Sequence, residues 1–126
     1  MPSANSTHDA RSREEVVEDD SMTFRELQTT IDAWISQYEA GYWPPLANLA
    51  RLTEEVGELA REINHAFGPK TKKSTEQEGS IAEELGDILF TVAAIANSLD
   101  IDLDTVMRAN LEKVTQRDDQ RWERRR

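Results

Sequence analysis

The stretch Leu52-Thr-Glu-Glu-Val-Gly-Glu-Leu-Ala60 is answered further on by Ile81-Ala-Glu-Glu-Leu-Gly-Asp-Ile-Leu-Phe90. Each segment sets carboxylates beside an apolar stripe. The first carries Glu54, Glu55 and Glu58, the second Glu83, Glu84 and Asp87. Residues three or four apart share a face of an α-helix, so Glu55 points with Glu58, and Glu84 with Asp87. Like charges at that spacing cost a helix roughly 0.2–0.5 kcal/mol per pair. At 100° per residue, Leu52, Val56, Leu59 and Ile63 form one stripe, and Ile81, Leu85, Ile88, Val92 and Leu99 another. Both acid pairs lie at the border of their stripe, displaced in the same rotational sense. Two helices packed through these stripes would bring the acids to one cleft, where a hard cation such as Mg²⁺ or Mn²⁺ is suited to carboxylate oxygens. Spacing alone leaves a second reading open, in which both clusters are ordinary solvated helix faces.

Outward from these segments, the remaining pattern is helical. Thr23-Phe-Arg-Glu26 fits a capping box, and Phe24, Leu27, Ile31, Trp34 and Tyr38 follow at helical spacing toward Gly41. Pro44-Pro45 starts a second helix from about residue 46 to 67, stopped by Gly68-Pro69. A polar connection with Lys70, Lys72 and Lys73 follows, either a solvated linker or a loop able to close over phosphates. The third helix is predicted from Thr75 or Glu78 to Leu99. The fourth is capped by Asp100 or Asp102 and carries Leu103, Val106, Met107, Leu111 and Val114 before a basic tip, Arg121-Trp-Glu-Arg-Arg-Arg126. No segment alternates with period two between turn signals, so no sheet is expected. The fold class predicted is all-α, a four-helix antiparallel bundle. Residues 1–21, poor in large apolar side chains, are expected to be a disordered acidic tail, and residues 22–126 the domain.

The 126 residues carry a net charge of −10, which argues against broad nucleic-acid binding. No cysteine is present, so a disulfide, a thiolate zinc site and a cysteine nucleophile are excluded. No apolar run approaches the ~18 residues of a membrane span, and the N-terminal residues lack a signal-peptide core, so a cytoplasmic protein without membrane partners is expected. With 37% hydrophobic and 32% charged residues, the chain is polar for a lone domain and is expected to gain core by self-association, as a homodimer or homotetramer. Trp34 and Trp43 are core anchors or stacking surfaces for a nucleobase.

Glu54-Glu55-x-x-Glu58, a spacer of 25 residues, then Glu84-x-x-Asp87 resembles the signature of the MazG family of nucleotide pyrophosphohydrolases, within the all-α NTP pyrophosphatase superfamily. Arg51-Leu-Thr-Glu-Glu-Val-Gly-Glu-Leu-Ala-Arg-Glu-Ile-Asn64 and Ala96-Asn-Ser-Leu-Asp-Ile-Asp102 are similar to its short single-domain members of YpjD type. The likeness spans about residues 22–122. It implies Mg²⁺-dependent hydrolysis of canonical or non-canonical nucleoside triphosphates to monophosphate and pyrophosphate, in a house-cleaning role. It implies Glu55, Glu58, Glu84 and Asp87 as metal ligands and Glu54 as a further acid that helps hold a metal or orient the attacking water, whose proton a carboxylate so placed could also take. It implies Asn110, Lys113 and Arg117, on one face of the fourth helix, as phosphate contacts. The reading set against it is a catalytically inactive helical module that binds metal or protein. A di-iron bundle fits less well, because neither cluster has the Glu-x-x-His such sites use.

Overall fold

A computed structural model describes residues 20–69 and 79–125. It contains α1 (Phe24–Ile35), α2 (Pro45–Phe67), α3 (Ile81–Ser98) and α4 (Leu103–Asp118), with no strand among the described residues. The expected tail up to residue 19 and the lysines at 70, 72 and 73 lie outside the described residues.

Local chemistry sets most of the boundaries. Thr23 caps α1, its hydroxyl accepting from the Glu26 N–H at 3.1 Å. The α-helix closes at Ile35, short of the expected end near Gly41. The chain then turns through three-residue bonds, Tyr38 N–H to Ile35 O at 3.1 Å and Gly41 N–H to Tyr38 O at 3.1 Å. Gly41 reverses direction at φ 61°, in the region glycine enters without a steric cost. This tightened corner leads into Pro44 and Pro45, which open α2. Helix α3 starts at Ile81 rather than at Thr75 or Glu78, because Ser80 is extended and its hydroxyl accepts from the Glu83 N–H at 2.9 Å. Its other end is a Schellman turn: Ile101 N–H reaches Ala96 O at 2.8 Å and Asp100 N–H reaches Asn97 O at 3.2 Å, with Asp100 left-handed at φ 54°. Of the two acids expected to cap α4, Asp102 does so, accepting from the Asp104 N–H and, at 2.7 Å, from the Thr105 hydroxyl. The Thr105 bond is the main reason its carboxyl titrates below the usual range.

Helix α3 is central. It packs along α2 and across α1, while α4 packs chiefly on α1. The buried residues of α3 are small: Thr91, Ala93, Ala94 and Ala96. Ile31 from α1 and Asn48 from α2 complete the buried set. The expected stripes are therefore only partly covered. Leu52, Leu59, Ile88 and Val92 are half-buried, whereas Val56, Ile63 and Leu85 are exposed. The residues that α3 buries are thus small, and larger residues on the flanks are left facing outward.

A polar clamp fixes α1 to the α3–α4 corner. The Gln28 amide donates to Asn97 Oδ1 at 2.9 Å and to Ile101 O at 2.8 Å, and its Oδ-equivalent oxygen, Oε1, accepts from the Leu103 N–H at 2.9 Å. Asn97 returns a bond to Gln28 O at 2.9 Å. Gln28 thus satisfies an N–H that the first turn of α4 leaves without an intrahelical partner.

Candidate metal centre and aromatic cavity

The packing of α2 on α3 brings the two acid segments together. Carboxylate oxygens of Glu55, Glu58 and Glu84 lie within 4.8 Å of one another. Asp87 stands one turn beyond Glu84, close enough for its charge to act on Glu84, although its oxygens fall outside that trio. Glu54 is exposed on the adjoining side of α2, also outside the trio.

Two oxygens of the trio, Glu55 Oε2 and Glu84 Oε2, are buried without a hydrogen-bond partner. A buried acceptor left unsatisfied is costly, and native structures rarely keep one without a reason. Desolvation, followed by the charges of Glu58, Asp87 and Glu55, pushes the Glu84 carboxyl up to about 7. A divalent cation would satisfy both orphaned oxygens and reverse the repulsion. The donor set, all carboxylate oxygen, suits Mg²⁺ or Mn²⁺.

The groove between α2 and α3 continues past the acids. Along α2 the residues facing it are Asn48, Arg51, Glu55 and Glu58, spaced 3, 4 and 3. Along α3 they are Glu84, Asp87, Thr91 and Ala94, at the same spacing. The helices run antiparallel, so the acids meet at one end and the neutral residues at the other. There a cavity of about 280 Å³ is walled by Trp34, Tyr38, Trp43 and Phe90, with Asn48 and Arg51 at its edge. Trp34 meets Tyr38 and Phe90 edge to face, with ring centroids 5.3 and 6.0 Å apart. Asn48 is 5% exposed and donates to Trp43 O at 3.4 Å, which ties the cavity rim to the start of α2. Tyr42 closes the rim by bonding to Asp32. Its phenol titrates above the ordinary value, first through burial and then through that bond.

Most of the chain, acid helices included, matches a known family. The MazG nucleotide pyrophosphohydrolase domain matches residues 44–122, more than half of the chain. The chain belongs to the MazG nucleotide pyrophosphohydrolase family. It is therefore a hydrolase, and the family is one that generally depends on a divalent metal. The YpjD protein of Bacillus subtilis (strain 168) is 49% identical over 102 residues, covering 81% of this chain and 92% of the relative. The YvdC protein of the same organism is 34% identical over 96 residues, covering 68% and 91%. The crystal structure of YpjD superposes with a TM-score of 0.67 at 48% identity, over 75% of this chain and 96% of that one. A Bacillus-conserved MazG protein, a nucleotide pyrophosphohydrolase, superposes at 0.65 with 48% identity, over 75% and 90%. No helix among the described residues is long and apolar enough to cross a membrane.

Of the residues singled out from the MazG signature, Glu55, Glu58 and Glu84 converge; Trp34 and Trp43, singled out as aromatic anchors or stacking surfaces, share one cavity. Asn110, Lys113 and Arg117 sit exposed on α4, which packs chiefly on α1 rather than along the acid helices. The Arg117 guanidinium is engaged by Asp118 through bonds of 3.1 and 3.2 Å. Sequence reading missed Asn48, Arg51, Tyr38 and Phe90 as parts of the groove. A signal existed for the first two, since they extend the Glu55–Glu58 face upstream with the same spacing.

Proposed function

We propose that this MazG-family hydrolase cleaves nucleoside triphosphates, canonical or non-canonical, to the monophosphate and pyrophosphate, using Mg²⁺ or Mn²⁺. The observation that carries this reading is the carboxylate trio with two orphaned buried oxygens at the end of an aromatic-walled groove. Glu55, Glu58, Glu84 and Asp87 would hold the cation. Once bound, it supplies Lewis-acid charge for the phosphate oxygens and lowers the pKa of bound water.

The chain's own residues account for the rest. Trp34 and Trp43 offer faces on which a base can stack, and exclude water from it. Glu54, beside the trio on α2, takes the proton of the attacking water or fixes its orientation. Asn110, Lys113 and Arg117 bind the phosphates, the arginine by exchanging Asp118 for a phosphate oxygen. Their distance from the groove within one chain is reconciled by self-association. Helix α4 has no buried residue, Leu111 is 59% exposed, and Leu46 and Phe67 are each 81% exposed. Large exposed apolar side chains on several helices mark an interaction surface. A homodimer or homotetramer would cover them and set α4 of one copy beside the groove of another. The house-cleaning role and a cytoplasmic location complete the reading.

The test is pyrophosphate release from a panel of deoxynucleoside and nucleoside triphosphates, with and without Mg²⁺ or Mn²⁺. Metal-dependent release with the monophosphate as co-product is expected, together with loss of release in Glu55→Gln. Full activity in Glu55→Gln would show that the trio is not the metal site. No release from any triphosphate, by folded protein, would overturn the assigned reaction.

A further inference from the structure

Arg51 occupies a position that neither the acids nor the aromatic residues explain. On α2 it lies between Asn48, at the cavity, and Glu55, at the trio. Its guanidinium sits over the Trp43 ring, 5.4 Å from the centroid, and its Nε stands 3.8 Å from Glu55 Oε1. Among the described residues these are its two partners.

Neither partner uses the arginine fully. At 3.8 Å the ion pair is beyond hydrogen-bond reach, and the arginine side chain is 44% exposed. Arginine four residues ahead of glutamate is also the less favourable order for a helical pair. Such an exposed pair adds little to stability. The Trp43 contact, by contrast, holds the planar group at the cavity edge while leaving its N–H fork open. The guanidinium places a positive charge at the junction of cavity and acid cluster.

We propose that Arg51 binds the phosphate nearest the sugar, moving from Glu55 to that phosphate when a nucleotide occupies the groove. This rests on the reading that the cavity takes the base and the trio takes the metal. A nucleotide so placed runs along α2, base beside Asn48 and outer phosphates beside Glu55 and Glu58. The helix rises about 1.5 Å per residue, so Arg51 falls between the two ends of the ligand. A cation on Glu55 weakens the carboxylate's hold on the arginine at the moment the phosphate arrives. The chain thereby gains a feature the acids cannot supply, the ability to distinguish a phosphorylated nucleotide from its nucleoside at the first phosphate.

The test is calorimetric titration of the four common deoxynucleoside monophosphates and their nucleosides into the parent protein, Arg51→Met and Arg51→Lys, with saturating Mg²⁺. Arg51→Met keeps the apolar stem over Trp43 and removes the charge. For the tightest monophosphate, its Kd is expected to rise about tenfold to a hundredfold, with the nucleoside's Kd unchanged and Lys recovering part of the loss. Titration of Mn²⁺ is expected to show no weakening in either variant. Equal monophosphate affinity in parent and Arg51→Met overturns the proposal, and so does an equal loss for nucleoside and monophosphate. If the parent hydrolyses triphosphates but binds no monophosphate, Arg51 lacks this role while the assigned reaction stands. A parent that neither binds nor hydrolyses removes both.

Discussion

Replacing Gln28 by alanine tests the assembly of the fold separately from its chemistry. The substitution deletes three side-chain bonds, to Asn97 Oδ1, Ile101 O and the Leu103 N–H, at 2.8–2.9 Å. A typical intramolecular hydrogen bond contributes about 1 kcal/mol net. The bond to Ile101 O is exposed, so water can replace it. The loss should therefore come to about 2 kcal/mol. For a domain of this size each kcal/mol moves the midpoint by roughly 4–8 °C, so a fall of about 8–16 °C is expected. The assay is thermal unfolding followed by far-ultraviolet circular dichroism at fixed protein concentration, since self-association would raise the midpoint by mass action. Mn²⁺ affinity should remain, because the trio is held by α2 on α3 and Gln28 lies on α1. Asn97→Ala and the double variant complete a cycle. The two single losses should sum to more than the double loss, because they remove the same 2.9 Å bond. A midpoint within about 2 °C of the parent, or strict additivity, would refute the clamp.

Four further outcomes follow from the acid cluster and the cavity. The Glu84 carboxyl is raised from 4.5 to about 7 in the folded, metal-free protein, so that protein holds a proton the unfolded chain has lost. Its contribution is complete below pH 4.5 and declines as pH rises to about 7, and denaturant midpoints of metal-free protein should follow that direction. Mn²⁺ binding requires the deprotonated acid, so titration calorimetry should show affinity climbing to about pH 7 and one proton released per Glu84 below it. Glu84→Gln should melt higher than the parent at pH 8 without metal, by relief of like-charge repulsion, yet show greatly weakened Mn²⁺ binding. A lower midpoint would mean that the acids are not in mutual conflict. Trp43→Ala should raise KM about fivefold or more with a smaller change in kcat, since stacking on an aromatic ring is worth about 1–3 kcal/mol per base. An unchanged KM across the substrate panel would remove Trp43 from the cavity's function.

The sequence was most legible where one helix face repeats one chemistry. Glu55 with Glu58 and Glu84 with Asp87 could be paired from spacing, Thr23 named as a cap and Asp102 as one of two candidate caps, because these inferences need only local geometry. The cavity was less legible because its walls come from three separate segments. Phe90 reaches Trp34 only after α3 crosses α1, a contact no spacing encodes. Helix ends were misplaced where a short polar side chain competed with continued periodicity. The Ser80 hydroxyl overrode the preceding residues, and the turns after Ile35 overrode the stripe that ran on to Tyr38. The position of α4 was not readable at all, since it depends on the Gln28 clamp, whose members lie more than 65 residues apart.

Ala94 of α3 bears on chemistry it never touches. It is buried, and it lines the aromatic cavity with Asn48 and Arg51, two turns along the groove face from Asp87. A single Ala94→Leu would put a branched side chain into that cavity, leaving every acid in place and narrowing the space proposed for the base. A plain residue can thus matter to this hydrolase as a charged one does, and a search for inactive relatives has to inspect the neutral rungs of the groove as closely as the charged ones.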